Sequence, residues 1–340
     1  MKSEKNNSAS GSKIIWSELA QRVLDGGRLT NDEALGVLRA ADDQLLEILA
    51  AAYRVRHRHF GNRVHLNFLI NAKSGMCGED CAYCSQSKVS TAKIEQYDLL
   101  AEEKILDGAR LATERKAKTY CIVTSGRKLS GTDFETVERV VPKIKAAHCL
   151  AVCVSPGFLT AEEATRLKNC GVNRINHNLN TSRRFYPTIC STHDYQRRLD
   201  TLQAVRATGL EICSGGIVGM GEEDSDVVDL AISLGSFGVE ALPVNFHIPI
   251  PGTPLAERPL LNPRYCLKTL ALFRLTNPRA ELRIAAGREL HLGPLQPLGL
   301  YAANSIFVGD YLTTKGQPAG ADYEMIEGLG FEAVTDAVEP

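Results

Sequence analysis

The chain has 340 residues and a net charge of -1, with 39 basic side chains against 40 acidic ones. A balance this close gives no broad field to hold nucleic acid or an acidic membrane surface, and the length suffices for one α/β barrel or two ordinary domains. Ten cysteines, no stretch near the ~18 apolar residues of a membrane span and no apolar core for a signal peptide in residues 1–13 together predict a cytoplasmic protein whose thiols serve metal or redox chemistry.

Residues 1–13 are polar and predicted to be a disordered tail. Residues 14–61 read as a helical extension. Thr30-Asn-Asp-Glu33 has the form of a capping box, with Ala34, Leu35 and Leu38 at helical spacing behind it. Asp42 and Asp43 then precede Leu45, Leu46, Ile48, Leu49 and Tyr53, a second amphipathic helix. The run from Arg54 to His59 is the one dense basic patch, expected as the solvated end of that helix.

Over residues 62–340 short apolar runs alternate with helical stretches, as a parallel sheet with crossover helices requires. Strands are predicted at 64–71, 119–125, 150–155, 173–180, 210–218, 241–248, 280–286 and 304–309, and helices at 99–115, 194–207 and 322–329. Eight strands close naturally into a (βα)8 barrel, although an open doubly wound sheet fits the same alternation. In such a barrel the chemistry sits beyond the C-terminal strand ends.

The loop after the first predicted strand carries Cys77, Cys81 and Cys84. Three thiolates so placed can hold a cubane iron-sulfur cluster while leaving one iron open. A structural zinc site would want a fourth ligand, and no second Cys pair or nearby His follows. The spacing, with Tyr83 just before the last cysteine, resembles the signature of radical S-adenosylmethionine (SAM) enzymes, in which SAM chelates the open iron.

Cys121, Cys153 and Cys213 fall in the second, third and fifth predicted strands, and Arg283 lies in the seventh between apolar neighbours. Each cysteine alone could be core filling. Three of them with a strand-centre Arg, costly to bury without an anionic partner, make an auxiliary cluster the other reading. Cys149, Cys170, Cys190 and Cys266 lack such a setting and are expected to be structural. Asn176, Asn178 and Asn180 alternate along the fourth strand as a polar wall for a ligand, or else belong to a loop. Asn67, Asn71 and Asn245 add further amides. The glycines of Gly215–Glu222 lack the order of a dinucleotide fingerprint.

Taken together, Asn71–Ser87, Tyr120–Arg127, Asn176–Ser182, Cys213–Gly219, Val244–Leu255, Arg283–Glu289 and Ala303–Thr314 resemble the biotin synthase family over about residues 40 to 335. The resemblance implies a radical SAM barrel, usually a homodimer, that inserts sulfur into dethiobiotin. It implies a 4Fe-4S cluster on Cys77, Cys81 and Cys84, and a 2Fe-2S cluster on Cys121, Cys153, Cys213 and Arg283 that serves as the sacrificial sulfur donor. Arg288 is the other arginine of that motif. Tyr83, Asn178, Asn180 and Arg198 would contact SAM, with Arg198 on its carboxylate. Asn178 and Asn245 would meet the ureido ring, and Thr313 and Thr314 the substrate carboxylate. The family also implies an electron donor of flavodoxin or ferredoxin type and iron-sulfur assembly proteins. Asn180 stands where some members carry Asp, and Gly78 replaces a frequent Pro. Another radical SAM chemistry on the same barrel, or a non-catalytic electron carrier, would differ in needing no convergent second cysteine set or no SAM.

Overall fold

The computed structural model describes residues 14–334, and the tail expected over residues 1–13 lies outside them. Its strands are β1 (Arg63–Lys73), β2 (Thr119–Thr124), β3 (Ala151–Ser155), β4 (Arg174–Asn176), β5 (Glu211–Cys213), β6 (Gly216–Val218), β7 (Ala241–Phe246), β8 (Glu281–Ile284), β9 (Ser305–Phe307) and β10 (Glu332–Val334). All pairings between them are parallel, and β9 returns to β1 through His65–Asn67 against Ser305–Phe307. That last pairing closes the barrel and excludes the open sheet. β10, absent from the predicted set, lengthens the sheet by pairing with the first residues of β1.

Strand alternation sorts side chains between two cores. On β2, Tyr120 and Ile122 point outward into the layer between sheet and helices, where the Tyr120 hydroxyl donates to the Ile105 carbonyl at 2.8 Å. Cys121 points inward and packs with Cys153, Cys213 and Ala241 in a separate small cluster inside the barrel. Predicted helices occur at Glu102–Glu114, Tyr195–Thr208 and Ala319–Gly328.

The N-terminal extension forms helices at Trp16–Leu24, Asn31–Arg39 and Leu45–Phe60. The Thr30 box is complete: the Glu33 amide donates to the Thr30 hydroxyl, and the Thr30 amide to the Glu33 carboxylate. These helices pack against Pro263–Thr276, whose Lys268 donates to the Ala40 carbonyl and Asp42. The expectation of a wholly solvated basic run after Tyr53 is corrected here. Arg56 is fully buried, its guanidinium donating to the carbonyls of Ala303, Gly61 and Arg63. Backbone oxygens, which carry no charge, satisfy its donors. No helix of the described residues is long and apolar enough to cross a membrane.

Two predicted strands need correction. The strand over 210–218 is two, β5 and β6, and Ser214 and Gly215 between them lie against β7, the Ser214 amide donating to the Ala241 carbonyl at 2.9 Å. A Cβ on Gly215 would lie 1.9 Å from the Pro243 carbonyl oxygen, so only glycine fits. Gly215→Ala is therefore expected to destabilise the chain by about 1–3 kcal/mol through overpacking, read as a lowered denaturation midpoint. The strand over 173–180 stops at Asn176, and Asn180 beyond it has φ of 71°, a left-handed conformation that asparagine tolerates outside a pleat.

Candidate functional site

A cavity of about 400 Å³ opens at the C-terminal end of the barrel and receives residues from every part of the predicted site: Cys77, Cys81, Cys84, Cys121, Cys153 and Arg283 all line it. So do Tyr83, Asn178, Asn180, Arg198, Asn245, Thr313 and Thr314. Cys213 lies just behind this surface, in the small inner cluster.

The loop with the first three cysteines is folded on its own backbone. The amides of Cys84 and Ser87 donate to the carbonyls of Cys81 and Cys84, both at 3.1 Å, and the Lys88 amide donates to the Glu79 carbonyl at 2.9 Å. Two acidic residues fasten it to the segment after residue 189. The Asp80 carboxylate accepts from the Ser191 and Thr192 amides at 2.9 and 3.2 Å, and Glu79 accepts from His193 Nδ1 at 2.6 Å and from the Thr192 hydroxyl. Burial raises the Glu79 carboxyl, but the donors Thr192 and His193 outweigh it and hold the group below its ordinary range. The Cys84 thiol is pushed up by burial. Metal binding would have to displace its proton.

Deeper in the barrel, Cys121 and Cys153 stand at the same register of β2 and β3, and Cys213 stands opposite Asn176 of β4. Asn176 Nδ2 donates to Cys213 Sγ at 3.2 Å. The hydrogen bond from Cys153, then the charges of Arg283 and Arg174, hold the Cys213 thiol below its ordinary range. Arg283 enters from β8 with its guanidinium 4.9 Å from the Phe307 ring centre. Its Nη2 donates to Glu281 at 2.7 Å and its Nε to Ser305 Oγ at 3.3 Å, which leaves Nη1 as the remaining nitrogen. Arg288, the other arginine of the motif, is turned away to Asp322 at 2.7 Å.

Glu281 is the anion that the buried Arg283 required, and Arg174 reaches it as well, at 3.2 Å. Burial pushes its carboxyl up, yet Arg174 and Arg283 hold it well below the carboxylate range. Sequence reasoning passed over Glu281 and Arg174. The signal was present, since a Glu two positions before an inward Arg shares its face of the strand.

The polar wall exists, but not as a regular ladder. Asn176, Asn178 and Asn180 all line the cavity, the last two from the loop beyond β4. Asn178 Oδ1 accepts from the Gly215 amide at 3.0 Å, so its amide nitrogen is what it can offer a ligand. Asn180 Nδ2 donates to the Tyr83 hydroxyl at 2.6 Å, joining the wall to the cysteine loop. Asn245 spends both ends on backbone, donating to the Gly216 carbonyl and accepting from the Ala286 amide. Arg198 is fixed by the Asn178 carbonyl at 3.0 Å and by the Tyr186 hydroxyl. Thr313 shares a 2.9 Å hydrogen bond with Ser85, which sets the residue 312–314 segment over the cysteine loop.

Cys190, expected to be structural, is 3.9 Å from Cys81 (Sγ to Sγ) and 3.4 Å from His193 Nδ1. Nothing in its sequence neighbourhood signals this, because the contact spans 109 residues.

Comparison with known proteins agrees with the architecture. A model of the radical SAM superfamily matches residues 73–234, and one of the biotin and thiamin synthesis associated domain matches residues 243–332. The chain is 53% identical to a biotin synthase of Rhodopirellula baltica over 324 residues, covering 95% of this chain and 90% of the relative. It is also 53% identical to a biotin synthase of Geobacillus kaustophilus over 317 residues, 93% of this chain and 95% of the relative. Among solved structures, a methylornithine synthase superposes with a TM-score of 0.79 at 18% identity, over 93% of this chain and 97% of that one. An FeFe-hydrogenase maturase from Carboxydothermus hydrogenoformans gives 0.78 at 17% identity, over 93% and 78%. These two share the fold.

Proposed function

The chain belongs to the biotin synthase family of radical SAM enzymes, and from that membership we propose that its cavity inserts sulfur into dethiobiotin to make biotin. Cys77, Cys81 and Cys84 would hold a 4Fe-4S cluster, and Cys121, Cys153, Cys213 and Arg283 a 2Fe-2S cluster. The donor sets fit these groups. Three thiols lie within one eight-residue loop, one short of enclosing a cubane. Three more pack together inside the barrel, and Arg283 lines the same cavity as two of them. When bound, the clusters and SAM supply a carbon-centred radical and the sulfur atom, chemistry that belongs to the cofactors.

The protein's own task is to position the reactants and keep water from them. Tyr83, Asn178 and Asn180 would bind the nucleoside part of SAM and Arg198 its carboxylate, since a fixed guanidinium pairs well with that group. The free amide nitrogen of Asn178 would donate to the ureido oxygen of dethiobiotin, with Asn245 holding the adjoining backbone in place. Thr313 and Thr314 offer hydroxyls at the rim for the substrate carboxylate. A flavodoxin- or ferredoxin-type electron donor, iron-sulfur assembly proteins and a homodimer complete the reading.

The observation that carries it is two separate three-cysteine sets at one cavity, five of the thiols lining it and Cys213 just behind. The test is to load the apoprotein anaerobically with iron and labelled sulfide, add SAM, reductant and dethiobiotin, and weigh the products. Label is expected in biotin, at no more than about one product per second-site cluster, because the donor is consumed. Biotin carrying unlabelled sulfur beside an intact labelled cluster would overturn the reading, as would unconsumed dethiobiotin.

A further inference from the structure

Cys190 belongs to neither cysteine set, yet its sulfur lies 3.9 Å from that of Cys81, across 109 residues of chain. Both side chains are buried. We propose that in the cluster-free protein hydrogen peroxide joins these two residues in a reversible disulfide.

The backbone brings them face to face. In an antiparallel pair, two residues are closely spaced, with Cα atoms about 4.5 Å apart, when the amide after each one points to the residue before the other. Cys81 and Cys190 stand in this relation. On one flank the Ala82 amide donates to the Ile189 carbonyl at 2.8 Å. On the other the Ser191 amide donates to Asp80 at 2.9 Å, through the carboxylate rather than the backbone. Disulfides span Cα separations of about 4.4–6.8 Å, so this arrangement asks for no rebuilding of either segment. Closing the sulfurs to a bond of about 2.0 Å moves each by about 1 Å, which side-chain rotation supplies. Asp80 also accepts from the Thr192 amide and Glu79 from His193, so the two segments are fastened before any bond forms.

The oxidant has a route. Cys81 lines the cavity that opens at the C-terminal end of the barrel, and its volume of about 400 Å³ admits a molecule as small as peroxide. Peroxide takes one sulfur of the pair to sulfenic acid and leaves one water. The other sulfur attacks that sulfenic sulfur, and the expelled hydroxyl leaves with the thiol proton as a second water. Two thiols and one peroxide thus give one disulfide and two waters. A thiol reductant reverses the step by exchange. A sulfenic acid trapped this quickly is also spared oxidation to sulfinic acid, which thiols do not reverse.

The consequence rests on the cubane assignment proposed above. Cys81 cannot serve a disulfide and a cluster together, so the oxidised chain takes up no iron at the three-cysteine loop until it is reduced. Cys190 then guards the middle thiol of that loop while the cluster is absent.

The test uses the full-length apoprotein, reduced, freed of reductant under argon and titrated with hydrogen peroxide. It is then alkylated in denaturant and cut with trypsin. The peptide of residues 74–88 should appear joined to that of residues 185–197, with fragmentation placing the link at Cys81 and alkyl groups on Cys77 and Cys84. Alkylated Cys190 should be lost as the linked species rises, and a phosphine should restore it. Cys190 that stays alkylatable while the other cysteines are oxidised overturns the proposal. A link from Cys81 to Cys77 or Cys84 in place of Cys190 overturns it equally. No step of the digest involves iron, SAM or substrate, so failure here leaves the assignment of the cubane untouched, and failure of that assignment leaves the link.

Discussion

Cys77→Ala, Cys81→Ala and Cys84→Ala are each expected to abolish SAM cleavage, with 5'-deoxyadenosine falling at least about a thousandfold, below background, in the reconstituted enzyme. Two thiolates do not hold a cubane with its open iron aimed at the cavity. The surrounding loop should survive each change. Glu79 and Asp80 tie it to Ser191, Thr192 and His193, and its turns close through backbone amides that no cysteine side chain supplies. Circular dichroism should therefore be unaltered while iron and product are lost. The three variants should differ in one respect. Cys190 Sγ sits 3.9 Å from Cys81 Sγ, so Cys81→Ala has a substitute thiol at hand and should retain the most iron. Normal 5'-deoxyadenosine from any of them would refute the assignment.

The barrel was legible because its evidence is local. Each strand is a short apolar run and each helix a stretch of helical periodicity, and both are written in neighbouring residues. The first cysteine set was legible for the same reason, lying within one loop. The second set needed only the alternation of strand faces, which puts Cys121 inside while Tyr120 and Ile122 face the helices. What escaped was decided by tertiary contact. Nothing near residue 215 announces that Pro243 leaves no room for a side chain there, where one predicted strand divides in two. Asn180 illustrates the limit on periodicity, since β4 ends at Asn176 while Asn180, beyond the strand and at φ of 71°, still keeps its side chain on the cavity. Arg56 misled through composition: a basic run reads as solvated, and only the carbonyls of Ala303, Gly61 and Arg63 show why its middle is buried.

The second set should respond unequally to substitution. Cys121→Ala removes a thiolate that stands in register with Cys153, and the 2Fe-2S absorption is expected to disappear along with biotin formation. Arg283→Ala should be milder, retaining a perturbed 2Fe-2S spectrum and part of the product yield. A guanidine nitrogen is a weaker iron donor than thiolate, and water or another side chain can take its place. Removing it also leaves no orphaned charge, because Arg174 remains on Glu281 at 3.2 Å. Glu281→Gln reverses the logic. It keeps the iron donor but strips the carboxylate from the fully buried Arg283 guanidinium, Arg174 keeping its pair with Glu211, and an uncompensated buried charge of this kind costs about 3–5 kcal/mol. The expected ranking therefore splits by assay: Glu281→Gln falls furthest in denaturation midpoint, while Cys121→Ala falls furthest in cluster absorption and biotin. If Arg283→Ala lost the cluster as completely as Cys121→Ala, or if Glu281→Gln unfolded at the wild-type midpoint, the division between ligand and counter-ion drawn here would be wrong.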